Sequence, residues 1–227
     1  LLLAAAILAL AACGRERAQP ATPAGVVAAT TIDFAHVANY AAPPLPAYFD
    51  ETVAALDNSP ASNPIDDRVA TLGRVLFHDM RLSTNNRASC AGCHQQRFGF
   101  TDPMRFSNGI STAGTTDFHA MRLGNLRYWQ PGTMFWDRRV PNAEAQASQP
   151  LHSLVEMGWG GSAGGIEALM RKMAATAYYP DLFAWAFGSA AITEPRIQQA
   201  LAQFVRAMVS RDSRWDTGYA RVFSPTA

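Results

Sequence analysis

Cys90, Cys93 and His94 form the most reactive short motif of this chain, the stretch SCAGCH. Two thiols one helical turn apart can add to the two vinyl groups on one edge of a haem, and the adjacent imidazole can then ligate the iron. The small residues Ala91 and Gly92 leave room for the flat macrocycle. The motif therefore predicts one covalently attached haem c, held at Cys90 and Cys93, with His94 as the proximal ligand of the iron.

Two other interpretations of a Cys-x-x-Cys pair fit this sequence less well. A thioredoxin-like redox pair is expected near a βαβ unit, and no such pattern surrounds the motif. A tetrahedral zinc site needs further ligands, usually a second cysteine pair, whereas the chain has three cysteines in all. Attachment of haem c also agrees with export, because haem is joined to c-type cytochromes outside the cytoplasm.

The N-terminal stretch LLLAAAILALAAC indicates export and attachment to a membrane. Its apolar run is shorter than the roughly 20 residues that span a bilayer, and it fits the hydrophobic core of a secretory signal. Small residues before Cys13 and polar residues after it resemble a bacterial lipoprotein signal, in which the cysteine is acylated. We therefore expect residues 1–13 to be a signal with a lipid anchor at Cys13, an ordinary signal peptide being the alternative. Both place the mature protein in the periplasm or at the cell exterior, and the lipid anchor places it on the periplasmic side of a membrane.

The rest of the chain predicts a tether followed by one mostly α domain. Residues 14–47 are rich in Ala, Pro and Thr and are typical of a spacer, so the folded domain is expected at 48–227. The net charge of +1 and the 16% of charged residues indicate no nucleic-acid partner.

Three amphipathic helices are predicted to form the core of this domain. The first follows Asp66, the second spans 164–178, and the third begins after Thr193 with Pro195 in its first turn. Their apolar positions recur at helical spacing and are predicted to be buried: Val69, Leu72, Leu76, Phe77, Ile166, Leu169, Met170, Met173, Ile197, Leu201, Phe204, Val205 and Met208. No segment alternates convincingly as a strand does, and residues 98–135 are predicted to form a long ordered loop.

The segments around the haem motif resemble, in order and spacing, the bacterial di-haem cytochrome c peroxidase family, which includes the MauG-like enzymes. The resemblance covers about residues 66 to 220. It rests on LGRVLFHDMRLS before the motif and, after it, on FGFTDP, LGNLRYW, MFWDRR, AEAQASQPLHSLVEMG and IQQALAQFVRAMVSRDSRWD. Each motif is weak alone, whereas their common order is specific. The resemblance implies a cytochrome c-like haem domain with long ordered loops, corresponding to the peroxidatic haem domain of the family.

The resemblance also implies roles for four further residues. Glu156 matches the family's distal glutamate, which moves a proton between the two oxygens of peroxide. Gln146 matches the distal glutamine that hydrogen-bonds in the pocket, and Pro150 matches a proline packed over the haem. Trp136 matches the tryptophan between the two haems, which is implied to carry electrons. A surface loop position for Glu156 and simple core packing for Trp136 are the alternatives from the sequence.

The sequence departs from the family pattern at three places. Arg138 stands where the family has a glycine, which would be costly if the backbone there has a positive φ. Some members have a histidine that blocks the distal side, and Ile110 stands near its position, so we expect an open distal side. A second Cys-x-x-Cys-His motif is absent, so we expect a fragment of a longer di-haem protein, a mono-haem variant being the alternative. In the full-length family Ca²⁺ is often held between the domains.

These features predict a haem peroxidase that reduces hydrogen peroxide to water. The electron donor is expected to be a small redox protein, a cytochrome c or a cupredoxin. One alternative is a MauG-like enzyme that oxidises a partner protein. Another is an electron-transfer cytochrome, which needs a strong sixth ligand, and Met104, Met121 and His119 are the candidates. His152, four residues before Glu156, is near enough in sequence to approach the pocket.

Overall fold

The computed structural model describes residues 24–110 and 114–223. The predicted signal at 1–13, with Cys13, lies outside the described residues. Regular structure in the described part is helical, and α-helices α1 to α10 follow in chain order: Ala24–Ala29, Glu51–Ala54, Asp67–His78, Cys90–Cys93, Ala143–Ala147, Gln149–His152, Gly165–Ala174, Tyr178–Phe187, Glu194–Arg206 and Arg214–Phe223. Within these ranges the β-structure consists of three isolated bridges, which confirms the predicted mostly α class. Among the described residues, none of the helices has the length and apolar character that a membrane crossing requires.

Helices α3 and α9 form the centre of the fold, as the sequence predicts. Asp66 caps α3 because its carboxylate accepts the backbone N–H groups of Arg68 and Val69 at 2.8 and 3.1 Å. Thr193 caps α9 in the same way. The two helices approach so closely that a Cβ on Gly73 of α3 would lie 2.0 Å from the carbonyl oxygen of Ala200 in α9. A glycine is therefore required at this crossing.

The second helix was predicted over 164–178, and the structure confirms its start but not its end, because α7 spans Gly165–Ala174. Helix α7 stops at Ala174, because the backbone N–H of Thr176 turns back to the carbonyl of Met173 at 2.9 Å. A separate helix, α8, then begins at Tyr178 and was not predicted. Its buried side chains are Tyr178, Tyr179, Leu182, Phe183 and Trp185. Because α8 is apolar on most of its faces, it lacks the periodic stripe that marks an amphipathic helix.

From Ala24 onward, the segment predicted to be a tether packs against the domain. Val26 of α1 is fully buried, and α1 lies against α8. The ring of Phe34 meets Trp185 edge-on at 4.9 Å between centroids. The backbone N–H of Tyr40 donates to the carboxylate of Asp67 at 2.7 Å. These apolar and polar contacts attach the described part of the segment to the domain.

A buried ion pair joins α5 to α9. The guanidinium of Arg206, whose side chain is 1% exposed, donates to both carboxylate oxygens of Glu144, with Nη2 at 2.9 Å from Oε2. Asn63 donates to the same carboxylate at 2.8 Å, and Asn58 accepts from Arg206 at 2.9 Å. Burial alone would raise the pKa of Glu144, but hydrogen bonds from Arg206 and Asn63 hold it below its usual range. This network fixes α5, which carries Gln146.

Candidate functional site

A single cavity gathers six of the seven predicted site residues. The six are Cys90, Cys93, His94, Gln146, Pro150 and Glu156. The apolar part of the lining consists of Phe77, Ala88, Leu123, Ala147, Met157, Leu201 and Val205, with Ser89, Asn108 and Thr116 as further polar residues. Helices α3, α4, α5, α6 and α9 all contribute to this lining.

Helix α4 presents both thiols to the cavity. It is a single turn from Cys90 to Cys93, and His94 caps it by donating its backbone N–H to the Cys90 carbonyl at 2.8 Å. Both cysteines are free thiols. Burial in the cavity wall raises the pKa of Cys90 to about 12. A thiol with so high a pKa is unsuited to redox exchange, which needs a reactive thiolate.

The imidazole of His94 is oriented by the turn that follows it. Its Nδ1 lies 3.0 Å from the backbone carbonyl of Phe100, which accepts a hydrogen bond from the ring. The backbone N–H of Gln95 donates to the carbonyl of Thr101 at 3.1 Å and closes this turn. Burial lowers the pKa of His94, although the carbonyls of Phe100 and Met121 partly offset it. A neutral, oriented imidazole is the form that a metal ligand requires.

Gln146, Pro150 and Glu156 reach the cavity from one short stretch of chain. Gln146 lies on α5, Pro150 is in the first turn of α6, and Glu156 lies in the loop after α6. Burial raises the pKa of Glu156, while Arg139 and the hydroxyl of Ser153 oppose this shift. The carboxyl therefore lies in the wall of a mostly apolar cavity.

Trp136 lies outside the cavity lining and is 60% exposed, so core packing does not explain it. Its indole N–H donates to the backbone carbonyl of His119 at 3.0 Å. The ring of His119 is held at both nitrogens, by the hydroxyl of Thr101 and by the carbonyl of Met104, each at 3.0 Å.

None of the three candidate sixth ligands, Met104, Met121 and His119, lines the cavity within the described residues. Met104 is 58% exposed. His152 also points elsewhere, with its Nε2 at 2.8 Å from the carboxylate of Glu194. His152 therefore does not line the cavity, although its position in the sequence would have allowed it.

The structure describes the backbone at two of the departures from the family pattern. Arg138 has φ 56°, so the backbone is left-handed at the position where the family has glycine. Ile110 donates its backbone N–H to the Val155 carbonyl at 2.8 Å and thus holds the loop that carries Glu156.

Asn108, Thr116 and Ser153 are site residues that sequence analysis missed. The bridge between Asn108 and Thr115 brings the first two to the cavity. Such a bridge leaves no periodic signal in the sequence. Ser153 stands three residues before Glu156, a spacing typical of Ser-x-x-Glu hydrogen-bonded turns.

The residues present fit a covalently attached haem. Two thiols one helical turn apart and a neutral imidazole meet a mostly apolar cavity, which suits a flat macrocycle with two vinyl groups. In residues 24–110 and 114–223, no cluster of three or more His, Cys, Asp and Glu side chains is arranged to hold a metal ion. This part of the chain therefore offers no such cluster to the Ca²⁺ ion that the resemblance implies for the full-length family.

Comparison with known proteins agrees with this geometry. The family model described as "Di-haem cytochrome c peroxidase" matches residues 67–221. The methylamine utilization protein MauG of Methylophilus methylotrophus is 33% identical over 180 residues, which cover 74% of this chain and 49% of that protein. Cytochrome c551 peroxidase of Nitrosomonas europaea is 31% identical over 162 residues, covering 69% of this chain and 44% of that protein.

Solved structures show the same relationship. A MauG-like protein associated with microbial copper homeostasis superposes with a TM-score of 0.64 at 34% identity, over 75% of this chain and 49% of that chain. The diheme peroxidase BthA from Burkholderia thailandensis superposes with a TM-score of 0.59 at 25% identity, over 73% and 45%. The chain spans about half the length of the curated relatives that it matches.

Proposed function

Because this chain belongs to the di-haem cytochrome c peroxidase family, we propose that it is a c-type haem peroxidase that reduces hydrogen peroxide to water. The observation that carries the proposal is the single cavity shared by the haem motif, Gln146 and Glu156. Cys90 and Cys93 would attach one haem, and His94 would ligate its iron. When bound, the haem would supply the redox-active iron through which two electrons reach the peroxide.

Glu156 would manage the protons of this reaction. Reduction of one peroxide by two electrons and two protons gives two waters, and O–O cleavage is easier when a proton moves to the leaving oxygen. A carboxyl whose pKa is raised by burial can accept a proton from one peroxide oxygen and deliver it to the other. The amide of Gln146 would orient the peroxide by hydrogen bonding, and Pro150 would pack over the haem.

We propose that a small redox protein, a cytochrome c or a cupredoxin, is the electron donor and that Trp136 carries electrons toward the haem. The exposed indole of Trp136 donates to the backbone carbonyl of His119, and the His119 ring contacts the hydroxyl of Thr101. Thr101 pairs with Gln95, the residue next to His94. This chain of contacts supports electron entry toward the proximal ligand.

The decisive experiment compares the wild type with Glu156→Gln after haem loading. We expect the variant to keep its haem and to lose about 10²- to 10⁴-fold in peroxide turnover, the usual contribution of a general acid–base group. Glu167→Gln, at an exposed glutamate of α7, is the matched control and should turn over peroxide normally. The ferric spectrum should also be high-spin, because no candidate protein ligand from the described residues lines the cavity. Unchanged turnover in Glu156→Gln would contradict the proposal, and a low-spin ferric spectrum would contradict the open distal side.

A MauG-like oxidation of a partner protein is the second candidate function. The observation in its favour is the 33% identity to MauG of Methylophilus methylotrophus, which is about as high as the 31% identity to cytochrome c551 peroxidase of Nitrosomonas europaea. If oxidation of a partner protein outpaced turnover of small reductants, this candidate would replace the first.

We also propose that the protein is exported and anchored on the periplasmic side through an acylated Cys13. The support is the small-residue stretch before Cys13 in LLLAAAILALAAC. Labelling with a radioactive fatty acid should mark the wild type and fail to mark Cys13→Ser. We propose Ca²⁺ only for the full-length protein, as the resemblance to the family implies.

A further inference from the structure

The loop that carries Glu156 is closed by a single residue, Ser153. The hydroxyl of Ser153 accepts the backbone N–H of Glu156 at 3.2 Å. The carbonyl of Ser153 accepts the backbone N–H of Gly158 at 2.7 Å. One residue therefore fixes the loop both at its middle and at its end.

Neighbouring segments fix the two residues beside Glu156. The carbonyl of Val155 accepts the N–H of Ile110 at 2.8 Å, and the carbonyl of Met157 accepts the N–H of Thr84 at 3.0 Å. A Cβ on Gly158 would lie 2.3 Å from Cδ1 of Ile110, so the loop has no room to shift in that direction. With the flanking carbonyls held, the bond from Ser153 sets the position of the Glu156 backbone itself.

We propose that Ser153 is a positioning residue for Glu156, holding its backbone where the side chain faces the cavity. The lone pairs of the serine hydroxyl accept the Glu156 N–H. The proximity of the hydroxyl to the carboxylate also lowers the pKa of Glu156, against the effect of burial and alongside Arg139. The inference rests on the proposed function, because it assigns the support of the same proton-transfer group.

The isosteric pair Ser153→Thr and Ser153→Val tests this role. Ser153 has an extended backbone, with φ −73° and ψ 130°, which β-branched residues adopt readily. Threonine keeps the hydroxyl and valine replaces it with a methyl group, so the two variants differ in hydrogen bonding and not in shape. Ser213→Ala is the matched control, because Ser213 accepts the N–H of Asp216 at 3.2 Å in the same local arrangement outside the cavity lining.

Two readouts are needed, of which one is independent of turnover. The first is kcat/KM for peroxide, which we expect to fall about ten- to hundredfold in Ser153→Val, as for a displaced catalytic group. The second is the stretching frequency of carbon monoxide bound to the reduced, haem-loaded protein, followed against pH. This frequency reports a nearby proton donor, and its titration should be absent in Glu156→Gln. The Ser153 hydroxyl lowers the pKa of Glu156, so the midpoint of this pH titration should move to higher pH in Ser153→Val.

The proposal is supported if Ser153→Val changes both readouts while Ser153→Thr and Ser213→Ala keep the wild-type values. It is overturned if Ser153→Val keeps both wild-type values, or if Ser153→Thr loses as much as Ser153→Val. If the valine variant does not fold, a displaced midpoint in Ser153→Thr overturns the proposal by itself. A wild type without peroxide turnover would instead refute the proposed function, and the carbon monoxide titration would still test Ser153.

Discussion

Replacement of Gly73 by alanine should destabilise the domain by about 2 kcal/mol or more, because α3 and α9 meet at this glycine. The new Cβ would lie 2.0 Å from the Ala200 carbonyl oxygen and 2.8 Å from the Phe204 Cβ. The first contact is with backbone, so the helices must separate by about 1 Å. Overpacking of a core costs typically 1–3 kcal/mol and more when backbone must move. Alanine is better than glycine in a helix by about 1 kcal/mol, which offsets part of the clash. A clash of about 3 kcal/mol or above therefore leaves a net loss of about 2 kcal/mol or more.

Urea unfolding of the haem-loaded protein, followed by helical circular dichroism, measures this loss. Gly218→Ala in α10 is the matched control, since a Cβ there meets no atom within 4 Å. That variant gains the same propensity without a clash and should be more stable than the wild type by about 1 kcal/mol where the helix is formed. If Gly73→Ala is as stable as the wild type, the close crossing of α3 and α9 is wrong. Haem loading should also fall, because Phe77 and Leu201 of these helices line the cavity.

Two further substitutions test the backbone and the buried ion pair. Arg138→Gly should stabilise the domain by about 1 kcal/mol, because it removes the cost of a left-handed L-residue at φ 56° and adds the smaller entropic cost of glycine; an unchanged or lower urea midpoint would contradict this. Glu144→Gln should cost about 3–5 kcal/mol at pH 7, because it leaves the buried guanidinium of Arg206 without its anion. Folding lowers the pKa of Glu144 below its ordinary value of 4.5, so its stabilisation is fully present above pH 4.5 and is lost as the pH falls through the lower pKa of the folded state. The difference in unfolding free energy between wild type and Glu144→Gln should therefore shrink below pH 4.5, and a difference that stays constant down to pH 3 would refute the assignment.

Helix α8 and the packing of the segment from Ala24 onward are the parts of the fold that the sequence predicted least well. The caps at Asp66 and Thr193 were predicted because a capping side chain bonds to backbone two or three residues away. Helix α8 was missed because burial on most of its faces erases the helical stripe. The packing of the segment from Ala24 onward was missed because its few apolar residues, such as Val26 and Phe34, show no period.

The sequence by itself determined the chemistry of the haem motif, because Cys90, Cys93 and His94 are adjacent and their spacing is set by one helical turn. Only the tertiary structure decided that Gln146 and Glu156 share a cavity with them, since more than fifty residues of chain separate these groups. It also decided that His119 is bonded at both ring nitrogens outside the cavity lining. Local signals follow from bonds within a few residues, whereas a site assembled from distant segments depends on how buried helices such as α3 and α9 pack together.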